Sequence, residues 1–154
     1  MITIVIMTEI RSVSVAEVFD DPRFHALIAE YAAECANPGM GSVNPDRNQY
    51  ETMESAGVLR GIGVYDGDEL VGFASYLLTP MAHFGACAAT CESLFLSASH
   101  RHGLTGVRLM RKMLSQAKEL GAKGLYVSAP TGSQLEKLAR AMRLKQTNSV
   151  FFIS

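Results

Sequence analysis

The spacing of apolar positions changes character along the chain. At the amino end, ITIVIM and the residues to about position 10 alternate loosely and predict a first strand. From Ser14, the segment SVAEVFDDPRFHALIAEYAAECA carries helix signals, and Pro22 suits a helix start, so two helices are predicted. Within the second, Phe24, Leu27, Ile28 and Tyr31 recur at helical spacing and read as a core-facing stripe. The turn-rich NPGMGSVNPDRNQ, Asn37 to Gln49, then breaks all periodicity and predicts an exposed loop. From Val58 the pattern turns to strands: VLRGIGVYD and ELVGFASYLLTPM, joined by a tight reversal at Asp66 and Gly67. His83, Phe84 and Gly85 end the second of these, and Ala86 to Leu96 form the next strand. A long amphipathic helix follows to about Leu120, then a strand from Gly124 to Ala129. Strand, helix and strand in that order make a βαβ unit, which calls for parallel strands and a right-handed crossover.

Composition adds limits. A chain of 154 residues, 48% of them apolar, can bury one core, and no repeat, low-complexity run or Pro/Ser-rich linker divides it, so residues 1–154 are expected to form one domain. The formal net charge is −1 and the basic residues are scattered, which gives no nucleic-acid footprint. Arg108, Arg111 and Lys112 do share one helix. They read as a solvated face, with neutralisation of a bound phosphate as the second reading. ITIVIM is too short for a secretory signal and has no basic region before it, and nothing approaches the run of about twenty apolar residues that spans a membrane. The expectation is a soluble protein of the cytoplasm that engages neither nucleic acid nor membrane. Three cysteines, Cys35, Cys87 and Cys91, are an odd number and favour reduced thiols. On one strand, Cys87 and Cys91 would stand about 13 Å apart at about 3.3 Å per residue, too far for a disulfide or a shared zinc ion. No metal site is expected.

The most informative stretch is ESLFLSASHRHGLTGVRLMRKMLSQAKELGA, Glu92 to Ala122, where an apolar strand passes through a polar loop and a glycine-bearing turn into a helix. Arg101, His102, Gly103, Leu104, Thr105 and Gly106 occupy the helix start, where unpaired N–H groups and the helix dipole suit a diphosphate. Two phosphate motifs are excluded by spacing. Gly106 is followed by Val107 and Arg108, so there is no GxxxxGK[ST] loop, and GxGxxG is absent.

RHGLTG resembles instead the acetyl-CoA signature Q/R-x-x-G-x-G/A of the GCN5-related N-acetyltransferases, the GNAT family. Arg101 stands at its first position and Gly106 at its last, with Leu104 where the middle glycine is expected. The resemblance covers nearly the whole chain, through the HFG turn at His83 to Gly85, ESLFLS, RHGLTGVRLM and ELGAKGLYVSAPTGSQLEKLARAM. It is most similar to the branch carried by phages and prophages, which would put the protein in a bacterial cytoplasm. The resemblance implies an α/β fold with a central mixed sheet of about six to seven strands and about four flanking helices. A further helix and a closing strand at Lys145 to Ile153 are part of that expectation. The VFFI run of that strand would be a hazard on an open edge, and a homodimer would cover it.

By the same resemblance, Leu94, Phe95 and Leu96 would hold the pantetheine arm of acetyl-CoA in a gap between splayed strands. An acceptor amine would attack the thioester directly in a ternary complex, with a backbone N–H of that strand stabilising the oxyanion. Glu92, just before the cofactor-binding part of the strand, is the first candidate for general base, and His83 the second. Each also has a plain reading, as a solvated edge carboxylate and a turn histidine. An unbulged strand would put Glu92 on the same face as Leu94 and Leu96. Asp46, Arg47 and Tyr50 are the acceptor-binding candidates. The tyrosine that often protonates the leaving thiolate in this family aligns with Ala139, and Tyr126, Ser128, Thr131 and Ser133 do not match its position. The expected activity is transfer of acetyl to a primary amine of a small molecule or peptide. The alternatives are a catalytically degenerate domain that binds acetyl-CoA or a protein partner, and a structural βαβ component with a tight helix start.

Overall fold

A computed structural model describes residues 7–35, 37 and 39–154. Among these residues five strands form one sheet in chain order: β1 (Glu9–Val13), β2 (Leu59–Asp66), β3 (Glu69–Met81), β4 (Ala86–Leu96) and β5 (Leu125–Tyr126). Neighbours are antiparallel except β4 and β5, which run parallel and are joined through a helix. The hairpin between β2 and β3 turns at Gly67, where Asp66 pairs with Glu69. Among the described residues no helix is long and apolar enough to cross a membrane.

The helices are α1 (Val15–Phe19), α2 (Phe24–Glu34), α3 (Arg47–Ser55), α4 (Thr105–Glu119) and α5 (Gln134–Ala141). Ser14 starts α1 with a capping box, its hydroxyl accepting from the Glu17 N–H while the Glu17 carboxylate accepts from the Ser14 N–H. Asp46 caps α3, so the loop predicted through Gln49 ends earlier and Tyr50 sits on a helix. Side chains alternate across the sheet. Ile62, Val64, Ala74 and Tyr76 pack with Leu109 and Met113 of α4, while Val13, Phe73 and Phe95 pack with Leu27 of α2 on the other side.

Among the described residues the sheet has five strands, fewer than the expected six to seven. The residues of ITIVIM up to position 6 lie outside the described residues, and the first strand described is Glu9–Val13. β5 has two residues instead of the six from Gly124 to Ala129. Lys145 to Ile153 forms no strand, and Phe151 and Ile153 are 89% and 94% exposed. A strand forms only against a partner edge. β5 offers two residues of edge, too few to template a closing strand.

Candidate active site

β4 contains the feature that builds the site. Its pairing with β3 runs Phe95 to Phe73, Leu94 to Ala74 and Ser93 to Ser75, but Tyr76 then pairs with Cys91, so Glu92 is an extra residue in a β-bulge. The burial pattern follows. Ala89, Cys91, Leu94 and Leu96 all join the core on the α4 side, an arrangement that strict alternation forbids and one inserted residue permits. Glu92 is thereby turned to the opposite face from Leu94 and Leu96, correcting the unbulged geometry. There it is exposed to solvent yet held by two hydroxyls: Ser75 donates to Oε2 at 2.6 Å and Tyr50 to Oε1 at 2.8 Å. Ser75 and Ser93 hydroxyls lie 2.8 Å apart and are buried, so their polarity is satisfied within the group. Burial, then the Glu92 charge, raises the Tyr50 pKa, which keeps that hydroxyl a donor.

Beside these groups is a cavity of about 70 Å³ between the sheet and α1, α2 and α3. Ser75, Ser93 and Tyr50 form its polar end. Its other walls are mainly apolar, with Ser14 and Tyr31 among them, and none of the described residues lining it is charged. Stacked rings stiffen them: Phe19 lies 4.4 Å from Phe24 and 5.9 Å from Tyr50, and Tyr31 meets Phe73 and Phe95 edge-on at 5.7 Å each. Tyr50 is the one member of the Asp46, Arg47 and Tyr50 set that reaches the cavity. Asp46 is spent on the α3 cap, and Arg47 binds Asp20 and Glu51 at 2.7 Å each.

Among the described residues, no strand pairs with the outer edge of β4 beyond the bulge. β5 pairs only with Ala89 and Thr90. Because the Ser97 N–H donates to Val71 on β3, ladder alternation turns the N–H and C=O groups of Leu94 and Leu96 toward the unpaired side. The chain then crosses a turn in which Arg101 is fixed three ways. Its Nε donates to the Leu96 carbonyl at 2.6 Å, its other nitrogens clamp Glu34 at 2.9 and 2.7 Å, and its guanidinium lies 5.1 Å from the Phe95 ring centre. Gly103 supplies the left-handed φ of 76° that launches α4. Leu104 has an ordinary φ of −105° and points outward, 71% exposed, and no side chain caps the helix. The first amides of α4 therefore face out without a side-chain partner. At Gly106 a Cβ would come 3.3 Å from Leu138 of α5, so a glycine here lets α5 close over the helix start.

The model of the acetyltransferase (GNAT) family matches residues 20–142 of this sequence. The chain belongs to the GNAT family. No curated protein matches it significantly in sequence. Among solved structures, this GNAT protein is similar to a ribosomal-protein-alanine N-acetyltransferase from Brucella melitensis biovar Abortus 2308, with a TM-score of 0.74 and 19% identity over 96% of this chain and 99% of that one. An aminoglycoside acetyltransferase from an uncultured soil metagenomic sample, in complex with sisomicin, has a TM-score of 0.73 and 15% identity, covering 96% and 95%. A predicted acetyltransferase from Clostridium acetobutylicum with acetyl-CoA gives 0.71 and 9%, covering 96% of each. At these identities the likeness is one of fold.

The remaining candidates of this GNAT chain stand apart from Glu92. His83 lies exposed in a 3-10 turn (Ala82–Phe84) at the other end of β4, about 20 Å of strand away at about 3.3 Å per residue. Ala139 lies on α5 and offers a methyl group, while Tyr126 is 44% exposed on β5 and Ser133 caps α5. Arg108 donates to the Thr8 carbonyl at 3.1 Å, and Arg111 and Lys112 are solvated. Ser75, Ser93 and Tyr31 were not anticipated. The available signal was two serines interrupting apolar strands, each at a position that should be buried.

Cys35, Cys87 and Cys91 are free thiols. Burial, helped by the Glu92 charge, pushes the Cys91 thiol up to about 12, so it carries almost no thiolate near neutrality. Iodoacetamide at pH 8 is expected to leave Cys91 unmodified in the folded protein and to alkylate it after denaturation, as read by peptide mass mapping. Rapid labelling of folded Cys91 would overturn this assignment.

Proposed function

We propose that the chain is a single-domain N-acetyltransferase that moves acetyl from acetyl-CoA to a primary amine, with Glu92 as general base. The observation that carries this reading is the bulge. It sets one solvent-accessible carboxylate beside the cavity, two residues before Leu94, and bonds each of its oxygens to a hydroxyl of a residue that lines the cavity.

Acetyl-CoA, when bound, supplies a thioester whose acetyl group is lost to an amine with release of the thiol. The main-chain groups of Leu94 and the N–H of Leu96, whose carbonyl is held by Arg101, would take the pantetheine arm in β-strand fashion, around Phe95, and the amides at Gly103 to Gly106 would take the diphosphate. Arg101 and His102 belong to this turn, and the Arg101 side chain acts by holding the turn against Glu34 and Leu96. An amine reaches the cavity as an ammonium, and Glu92 accepts its proton at a carboxylate oxygen open to solvent. Tyr50 and Ser75 hold that carboxylate in place. With alanine at position 139, protonation of the departing thiolate is left to solvent. The same alanine favours a second reading, a domain that binds acetyl-CoA without transferring it. A bacterial cytoplasm is the proposed location, and a homodimer covering the exposed Val150 to Ile153 run belongs to the same proposal.

The test is thiol release from acetyl-CoA, followed with a disulfide dye across a panel of primary amines. Release that needs both acetyl-CoA and an amine is the expected result. Binding of acetyl-CoA with no release for any amine would replace the enzyme with the binding domain.

A further inference from the structure

We infer that the acceptor is a monoamine carrying a short apolar substituent; this rests on the acetyltransferase reading and specifies its substrate class. The cavity has one cluster of hydrogen-bonded polar groups, where Ser75, Ser93 and Tyr50 gather beside the Glu92 carboxylate. That cluster suits one ammonium group. Ser14, whose hydroxyl already accepts from the Glu17 N–H, and Tyr31 also line the cavity, but the walls from Val15, Val18, Phe19, Phe24 and Ile28 present only carbon side chains. A second ammonium, hydroxyl or peptide group placed there would lose its water and gain no partner, which costs far more than an apolar contact returns.

Carboxylates nearby do not relieve this. Asp20 and Glu51 are bound to Arg47, Glu17 to Arg11, and Glu54 accepts from the Val15 N–H at 2.9 Å. An aminoglycoside or polyamine, which needs several anionic partners, would have to break those pairs. Size sets the other limit. The cavity holds about 70 Å³, less than half of the ~150 Å³ that accommodates benzene in an engineered apolar cavity. The buried substituent is therefore an alkyl group of a few carbons, with anything longer projecting past the mouth.

The experiment is calorimetric titration of the full chain, without acetyl-CoA, with n-alkylamines from ethylamine to octylamine. Butan-1-ol, spermidine, kanamycin and alanyl-alanine amide serve as comparisons. Affinity should rise about fourfold per methylene until the cavity is full and then level off. Butylamine should bind at least tenfold more tightly than butan-1-ol, spermidine, kanamycin or the dipeptide amide. Val18→Ala lengthens the cavity wall gap and should move the plateau to a longer amine; Val18→Phe should move it to a shorter one. A flat alkyl series, or tighter binding of spermidine, kanamycin or the dipeptide amide, overturns the inference. A plateau that ignores both Val18 variants overturns it too, since the alkyl group then lies elsewhere. Because binding is read without the acetyl donor, a graded series with no thiol release would sink the acetyltransferase reading while leaving the pocket's preference for alkyl monoamines standing.

Discussion

Glu92→Gln is expected to lower kcat for amine acetylation by about 10²- to 10⁴-fold, the usual range for losing a positioned proton acceptor. The substitution is chosen to change charge and little else. Glutamine keeps one oxygen to accept from Ser75 or Tyr50, and the other hydroxyl can rotate to accept from the new amide group. Residue 92 is solvent-exposed, so no core contact is lost. Affinity for acetyl-CoA should stay within a few-fold of the parent, because the free edge at Leu94 and Leu96 and the α4 start lie beyond the bulge. Steady-state kinetics at saturating amine, paired with an acetyl-CoA titration, checks both halves. A fall of less than tenfold in kcat would remove Glu92 as the base and leave it a surface carboxylate that steadies Tyr50.

That expectation depends on a register that periodicity does not reveal. The strand Ala86–Leu96 and the hairpin at Asp66 and Gly67 were legible because alternation and turn chemistry are local. So were α1 and α2, through the Ser14 cap and the Phe24 to Tyr31 stripe, and the parallel pairing of β4 with β5. The bulge is not local. In CESLFL, simple alternation sends Glu92 with Leu94 and Leu96; the inserted residue lets Cys91, Leu94 and Leu96 all bury against α4 while the serines meet across β3 and β4. Only the partner strand decides between those registers. The cavity was hidden for a similar reason, since its walls come from helices α1 to α3 and three strands far apart in sequence. The stripe on α2 could be seen as apolar, but not as both core and pocket wall: Leu27 is fully buried while Ile28 and Tyr31, beside it, line the cavity. The opposite failure occurs at Lys145 to Ile153, where VFFI has the composition of a strand and no edge long enough to pair with.

Gly106→Asp is expected to abolish the stabilisation that acetyl-CoA confers. Gly106 is the second residue of α4, in the turn whose amides have no intrahelical acceptor and where the helix dipole favours an anion. An aspartate carboxylate there would occupy the positive end of the helix itself and repel the diphosphate. Its Cβ would also meet Leu138 at 3.3 Å, so part of any effect could come from pushing α5 away. Gly106→Ala separates the two causes, because it adds the same carbon without the charge. In the parent, acetyl-CoA at about a hundred times its Kd should add about 2.7 kcal/mol to stability, a rise in Tm of several degrees for a chain of this size. The alanine variant should keep most of that rise and the aspartate variant none, with both folded in the absence of ligand by circular dichroism. Equal loss in both would make the α5 contact the cause. An undiminished rise in the aspartate variant would mean that the start of α4 does not hold the diphosphate, and the roles proposed for Gly103 to Gly106 would fall with it.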